Sequence, residues 1–310
     1  MKHLSLGASL YVPATRSDLI QVGNGLRFPG LRSVIFCTED ALHASEVNAA
    51  LDTLRRALPA FQPGRLMRFV RVRNIDVLDA VCAMDPHETL DGFVLPKVTR
   101  ASLPKYLERL SPDTSYLVMP TLETREVFDM DEMRRLRDVM AAHPLRDKIL
   151  MARIGGNDLM RLLGIRRTPD RTAYDTVLGG VISNLVTTFK PYGFPLSAPV
   201  FDGFEHADVL AEEVRIDLAH GLLAKTAIHP SQIATIHREY AVSREDLQAA
   251  EQLLECNAPA VFGLNGMMHE QATHGPWAEE IVTRAEIFGV VADARRHAAH
   301  QERLPFIVHN

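Results

Sequence analysis

"ILMARIGGNDLMRLLG", residues 149–164, holds a complete structural unit in one line of sequence. An apolar run stops at two glycines, Asp158 follows, and leucine and methionine then recur at helical spacing. A short apolar run that gives way to a 3.6-residue period is a buried strand feeding a helix. The carboxylate of Asp158 can cap that helix, because its oxygens accept the unpaired N–H groups of the first turn. A ligand role competes with the cap, and the surroundings must decide between them.

Outward from this unit the same pattern repeats. Apolar, β-branched runs stand at "ASLYVPA" (8–14), "SVIFCTED" (33–40), "LMRFVRVRN" (66–74) and "DGFVLPKV" (91–98). They continue at "YLVMPTLET" (116–124), "ILMARIGG" (149–156), "FPLSAPVFDG" (194–203) and "LLAKTAIHP" (222–230). Eight strands alternating with helices predict an α/β protein, a closed (β/α)8 TIM barrel, over residues 1–242. Such barrels take roughly 250 residues, so residues 243–310 are expected to form a C-terminal helical extension. In it, Ser243 followed by acidic residues opens the helix "SREDLQAAEQLLE". The segment "FGLNGMMHEQATHGP" reads as a loop and "WAEEIVTRAEIFGVVADARRHAA" as a second helix.

The 310 residues are 46% hydrophobic and 24% charged, enough to build a large core and too apolar for disorder. A net charge of −5 with both signs interspersed supplies no field to draw nucleic acid or an anionic membrane. Cys37, Cys82 and Cys256 are far apart and odd in number, which fits reduced thiols in a cytoplasmic protein. The opening "MKHLSLGASLYVPATRS" is broken by Gly7 and Pro13, unlike a signal peptide. No apolar run approaches membrane-spanning length.

Active sites of this fold lie where strands lead into helices, and polar residues gather at those ends. They are Glu39 and Asp40, Arg73 and Asn74, Lys97, Glu123, Asp158, Asp202 and His229. Helix capping accounts for aspartate and asparagine. It does not account for an arginine or lysine at a helix N-terminus, where the dipole repels a cation. An anionic ligand does.

Taken in order, "YVP", "TEDAL", "VRVRN", "DGFVLPKV", "LETREV", "GGNDLMRLLG" and "KTAIHPSQIATIH" resemble the HpcH/HpaI aldolase and citrate lyase beta-chain family across most of the chain. The resemblance implies a divalent-metal-dependent lyase that cleaves or forms a carbon–carbon bond next to a carboxylate, often on coenzyme A thioesters. It implies a Mg²⁺ ion, or Mn²⁺ in its place, held by Glu123 and Asp158, which match the family's "ET" and "GxxDL" ligand positions. Mg²⁺ keeps several waters, so one or two carboxylates suffice, and the ion offsets the charge of an enolate. Arg73 would grip a carboxylate or the developing enolate through its planar fork. Glu39 and Asp40 match the acidic pair of strand 2 and would orient water or the reacting hydroxyl. Lys97 would meet a substrate anion or a coenzyme A phosphate, and Gly155 and Gly156 would let the loop approach metal or substrate. The family also associates into homo-oligomers, so a trimer or hexamer is expected.

The chain departs from the family in three places. "VPATRSD" replaces a small-residue "VPG" turn, and "RRLRDVMAAHPLRDK" lengthens the helix between "LETREV" and "GGNDL". "GMMHE" stands where relatives have a "G-x-M-I-D" stretch, putting Glu270 at the position of an aspartate that completes the site as acid or base. These features mark an outlying branch with its own substrate. Other chemistries lack anchors: the histidines of "HEQATH" (269–274) are five apart rather than four, and His229 and His237 have no third ligand in motif spacing. Neither a Gly-x-Ser-x-Gly elbow nor a Gly-Lys-Ser/Thr phosphate loop is present. Two rivals to the metal reading stand: a Schiff-base aldolase using Lys97 or Lys225, and a catalytically silent barrel that binds a small carboxylate metabolite.

Overall fold

The structure, a computed structural model, describes residues 2–291. These form two compact units, one spanning Lys2–Ile236 and the other running from His237.

The first unit is the barrel. Its strands are β1 (Ala8–Pro13), β2 (Ser33–Cys37), β3 (Met67–Arg71), β4 (Gly92–Leu95), β5 (Leu117–Leu122), β6 (Ala152–Ile154), β7 (Leu196–Ser197) and β8 (Lys225–Ala227). Each falls inside one of the eight apolar runs. Between them come α1 (Leu19–Gly23), α2 (Val47–Ala57), α3 (Ile75–Cys82), α4 (Leu103–Leu107), α5 (Met130–Ala142), α6 (Gly156–Leu162), α7 (Val177–Phe189) and α8 (Ala207–Ala219), with α9 (Ser231–Tyr240) after β8. All strand pairs are parallel and neighbours follow in chain order from β1 to β7, with β8 beside β1. One bridge, Ala198 to Lys225, joins β7 to β8 and closes the ring. Burial on both faces explains why β2 and β4 are buried throughout. Ile35, Phe69, Val94 and Met119 fill the lower barrel with Met151 and Ala224, which leaves the upper layers to polar side chains.

Helix caps settle part of the strand-end question. Asn74 caps α3 by accepting from the Val77 amide at 3.0 Å. Asp129 and Thr176 cap α5 and α7 in the same way. The long helix expected through residue 148 ends at Ala142, because Pro144 disfavours helical backbone at the residue before it; a 3-10 turn follows at Arg146–Lys148. Only Cys37 is a fully buried thiol; Cys82 is half-buried and Cys256 exposed.

The second unit takes over inside α9 rather than after residue 242, since His237 and Tyr240 in the last turn of α9 pack on Phe288. It contains β9 (Val242–Ser243), α10 (Arg244–Leu254), β10 (Val261–Leu264), β11 (Met267–Glu270), α11 (Gln271–Phe288) and β12 (Val290–Val291). Ser243 caps α10 through the Asp246 amide, as its sequence predicts. The expected loop at "FGLNGMMHE" is instead an antiparallel hairpin, turned by Asn265 and Gly266, both with positive φ. Asn-Gly is the strongest short hairpin signal, and it outweighs the glycine-rich look of the segment. The helix begins at Gln271, earlier than Trp277, and stops before Gly289, where Val290–Val291 form β12 instead; the expected helix beyond residue 291 lies outside the described residues. Val242, Ala250, Leu253, Ala278 and Ile281 make this unit's core. Among the described residues no helix is long and apolar enough to cross a membrane.

Candidate active site

The C-terminal ends of the barrel strands enclose a cavity of about 230 Å³ whose lining includes Tyr11, Asp40, Arg71, Glu123, Arg153 and Asp158. Its centre is Glu123, one residue past β5 and 3% exposed. Its Oε1 accepts from Arg71 Nη2 and from the Lys97 amide, each at 2.9 Å. The second bond depends on an unusual backbone: Lys97 has φ 48°, left-handed for a non-glycine residue. Such a conformation costs roughly 1–3 kcal/mol and persists where surrounding contacts enforce it. Here it turns the amide toward Glu123 while the side chain turns to Glu39 and Asp40.

Arg71 links the acids. Its Nη2 lies 2.6 Å from Glu39 Oε2, 2.9 Å from Glu123 Oε1 and 3.6 Å from Asp40 Oδ2. Lys97 Nζ pairs with Glu39 and, at 3.2 Å, with Asp40. Burial pushes the Glu123 carboxyl above its ordinary value and the nearby Asp158 charge adds to this, against the pull of Arg71 and the Lys97 amide. Burial likewise raises Glu39, with Arg71 only partly offsetting it. Burial works the same way on Asp40, but bonds from Glu39 and Lys97 overcome it and hold Asp40 low. The two carboxyls at the end of β2 are thus shifted in opposite directions, Glu39 upward and Asp40 downward.

Asp158 sits in the first turn of α6, whose N-cap is Gly155, and it makes no capping bond. Its carboxylate is 16% exposed and pairs with Arg161 at 2.9 Å. The cap reading therefore fails, and the side chain remains a lining group of the cavity. Gly155 shows why the two glycines precede it. A Cβ there would stand 2.4 Å from both Cβ and Oε2 of Glu123. The missing side chain leaves a cradle that Glu123 itself fills with Oε2, the carboxylate oxygen that neither Arg71 nor the Lys97 amide engages. Among the described residues no cluster of three or more His, Cys, Asp or Glu side chains is arranged to hold a metal. A pair of hard oxygen donors lining one cavity suits Mg²⁺, which prefers few carboxylates and several waters.

Other sequence candidates fall elsewhere. Arg73 is outside the cavity lining and donates to the carbonyls of Glu39 and Leu42 at 3.2 and 3.4 Å. The ladder of β3 ends at Arg71, so the two-residue alternation that would keep Arg73 inward no longer applies. Asp202 accepts from Asn157 at 2.9 Å, and His229 bonds Ser231 and stacks on Phe204. Glu270 belongs to the second unit, where Thr273 donates to its carboxylate at 3.0 Å. In "HEQATH", His269 lies in β11 and His274 in α11.

The Schiff-base reading is overturned for both lysines. Lys225 is completely buried outside the cavity lining, and its ammonium donates to Pro199 O, Glu213 Oε1 and Asp217 Oδ2 at 3.0, 2.9 and 2.7 Å. Three acceptors, two of them carboxylates, take up all three of its N–H donors. Lys97 is penalised by burial, yet the bond and charge of Glu39, helped by Asp40, raise it above the ordinary lysine value.

Sequence reasoning missed Arg71, Tyr11 and Arg153. Arg153, 1% exposed in β6, donates to Thr226 Oγ1 at 2.6 Å and lies 5.6 Å from the Tyr11 ring centre, with Arg71 at 5.8 Å from the same ring. For Arg153 the available signal was an arginine in the middle of a strand that is otherwise apolar.

A family model described as "C-C_Bond_Lyase of the TIM-Barrel fold" matches residues 1–290. A (3S)-malyl-CoA thioesterase of Cereibacter sphaeroides is 29% identical over 246 residues, covering 78% of this chain and 80% of that protein. The mitochondrial citramalyl-CoA lyase of Mus musculus is 23% identical, covering 82% and 76%. The crystal structure of CitE from Mycobacterium tuberculosis, in complex with magnesium, acetoacetate and coenzyme A, superposes with a TM-score of 0.67 at 23% identity, over 92% of this chain and 99% of that one. RipC from Yersinia pestis shares the fold at a TM-score of 0.58 and 21% identity, over 76% and 95%. The barrel, the ordered motifs and the family match together make this chain a member of the carbon–carbon bond lyases of the HpcH/HpaI aldolase and citrate lyase beta-chain family.

Proposed function

We propose that the protein is a Mg²⁺-dependent lyase that cleaves or forms a carbon–carbon bond in an adduct of a 2-oxo acid, with an acyl-CoA thioester as the other half. The observation that carries this reading is the setting of Glu123: buried, braced on one oxygen by Arg71 and the Lys97 amide, with its other oxygen facing the space above Gly155. Glu123 and Asp158 would hold the ion. When bound, Mg²⁺ supplies Lewis-acid charge to an oxygen that becomes negative as the bond breaks. Mn²⁺ in its place and assembly as a homo-oligomer belong to the same reading.

The chain's own residues do the rest. Arg71 takes the orienting part first given to Arg73, since its guanidinium lies in the cavity beside Glu123 and can present N–H donors to a carboxylate or enolate oxygen. Asp40, held ionised and exposed to the cavity, accepts the proton of the substrate hydroxyl as the carbon–carbon bond opens. Lys97 fixes Glu39 and Asp40 in place. The cavity of about 230 Å³ has room for the short acid, with the thioester's bulk left outside. The named activities of the malyl-CoA and citramalyl-CoA relatives support an acyl-CoA partner.

The test is calorimetric Mg²⁺ binding by the wild type, Glu123→Ala and Asp158→Ala, combined with cleavage of malyl-CoA and citramalyl-CoA in Mg²⁺ and in EDTA. Metal uptake lost in both variants, and cleavage lost in EDTA, is the expected result. Uptake that survives both substitutions, or cleavage that persists in EDTA, overturns the proposal.

A further inference from the structure

Arg71 and Arg153 both line the cavity, but only one of them has counter-charges. Arg71 is held by Glu39, Asp40 and Glu123. Arg153, 1% exposed, finds neutral partners: Thr226 Oγ1 at 2.6 Å, Met119 Sδ at 3.7 Å and the Tyr11 ring. Among the described residues no carboxylate forms an ion pair with it. A thioether sulfur is a weak acceptor, so Nη1 is poorly served. Buried charges are paired as a rule, because desolvating one alone is strongly unfavourable.

The strand register gathers further donors around this cation. Thr121 of β5 and Ser197 of β7 pair directly with Arg153 of β6, so the three side chains share one layer and one face of the barrel. Both hydroxyls are buried, in residues 3% and 0% exposed, and neither makes a hydrogen bond. Thr226 of β8 accepts from Arg153 Nη2, which leaves its own O–H free to donate. The core cluster that holds Met119, Ile35 and Phe69 is apolar and supplies no acceptor beyond the thioether. Four neighbouring strands thus contribute one guanidinium and three hydroxyl donors, with no anionic acceptor among them.

We infer that this layer is a binding site for a resident monatomic anion, chloride, which balances Arg153 and ties Thr121, Ser197 and Thr226 together at the floor of the cavity. A singly charged sphere accepts from donors that arrive from several directions, whereas a carboxylate is gripped best by two parallel donors of one planar fork. Here the donors come from four separate strands. Glu123 lies two residues beyond Thr121, roughly 7 Å nearer the mouth at about 3.3 Å per residue. Chloride on Arg153 offsets the positive charge beneath it, and by linkage this tightens any cation that the carboxylates at the mouth hold.

The experiment uses the full chain without added metal, so that it stands apart from the ion proposed at Glu123 and Asp158. Chloride is titrated against isethionate, a bulky organic sulfonate, at constant ionic strength, with the chloride NMR linewidth and the thermal melting midpoint as readouts. Wild-type protein should broaden the chloride line, and its midpoint should rise with chloride along a saturating curve, as for any ligand of the folded state. Arg153→Met should abolish both responses, and in isethionate it should melt no lower than wild type, because a charge that nothing balances has been removed. Thr121→Val and Ser197→Ala keep the charge and should each weaken chloride binding by roughly tenfold, the effect of one charge-assisted hydrogen bond. Equal midpoints in chloride and isethionate with no line broadening, the result if water alone fills the layer, overturns the inference. So does a chloride response that survives Arg153→Met, Thr121→Val and Ser197→Ala alike. Acetate that raises the wild-type midpoint as far as chloride does overturns the assignment to a monatomic ion.

Discussion

Gly155→Ala isolates the geometry on which the metal reading depends. Gly155 has φ −86°, which alanine adopts freely, so the only new element is a methyl group. That methyl would lie 2.4 Å from Glu123 Cβ and Oε2 and 3.1 Å from Cδ, whereas ordinary contact begins at 3.4 Å. Something must move by about 1 Å, at a cost typical of overpacking, roughly 1–3 kcal/mol. Glu123 resists, since Oε1 is tied to Arg71 and Lys97. The alternative is a shift of the start of α6, which carries Asp158. Either route changes the spacing of the two carboxylates. Mg²⁺ requires ligands at about 2.0–2.1 Å in near-octahedral array, and a 1 Å misplacement of a reacting group costs about 10²-fold. Mg²⁺ affinity measured by calorimetry should therefore fall by one to two orders of magnitude, with a lower melting midpoint on scanning calorimetry. Gly155→Ala protein that binds Mg²⁺ within about threefold of wild type and melts normally would refute the cradle argument.

Three further outcomes follow from groups away from the cavity. Lys225→Met leaves Glu213 and Asp217 buried without their shared cation and should lower unfolding stability by about 3–5 kcal/mol in a urea titration; an unchanged midpoint would show the cluster to be dispensable. In α7, Gly180→Ala meets nothing within 4 Å and should stabilise by about 0.5–1 kcal/mol, while Gly179→Ala puts a Cβ 2.8 Å from the Tyr174 carbonyl oxygen and should destabilise; thermal melts that reverse this order would contradict the packing. His3 is pushed by burial, with the Lys190 charge contributing, from 6.5 down to about 4. Between those values the unfolded chain binds a proton that the folded chain excludes, so stability rises with pH through this window and is lost as pH falls through it. Partial solvent access reduces the effect to the order of 1–2 kcal/mol. His3→Gln should flatten the slope of stability between pH 6.5 and 4; an unaltered slope would assign it to other groups.

The barrel is legible in the sequence because both faces of a parallel strand are buried, which leaves eight apolar runs that little else in the chain imitates. Glu123 and Asp158 are legible too, since a carboxylate just past an apolar run must face the rim. Arg71 and Arg153 are not, because they lie inside the strands, where periodicity places an apolar residue and a charge reads as noise. Which of Arg71 and Arg73 points inward depends on where the β3 ladder stops, a decision made by its neighbours β2 and β4. The left-handed turn at Lys97 leaves no local mark either, since lysine has no preference for it and long-range contacts to Glu123 and Glu39 impose it. In the second unit the hairpin signal was present at Asn265-Gly266, while the weak alternation of the flanking residues concealed the strands.

The joint between β7 and β8 has one bridge, yet Lys225 and Arg167 grip the successive carbonyls of Pro199 and Val200 beside it and meet on Glu213. That stave is thus fastened by desolvated charges where its neighbours rely on backbone pairing. The cost of dehydrating ions shrinks on heating, so this seam should soften less than the hydrogen-bonded seams as temperature rises. Bulk electrolyte, excluded from so dry a pocket, should barely loosen it.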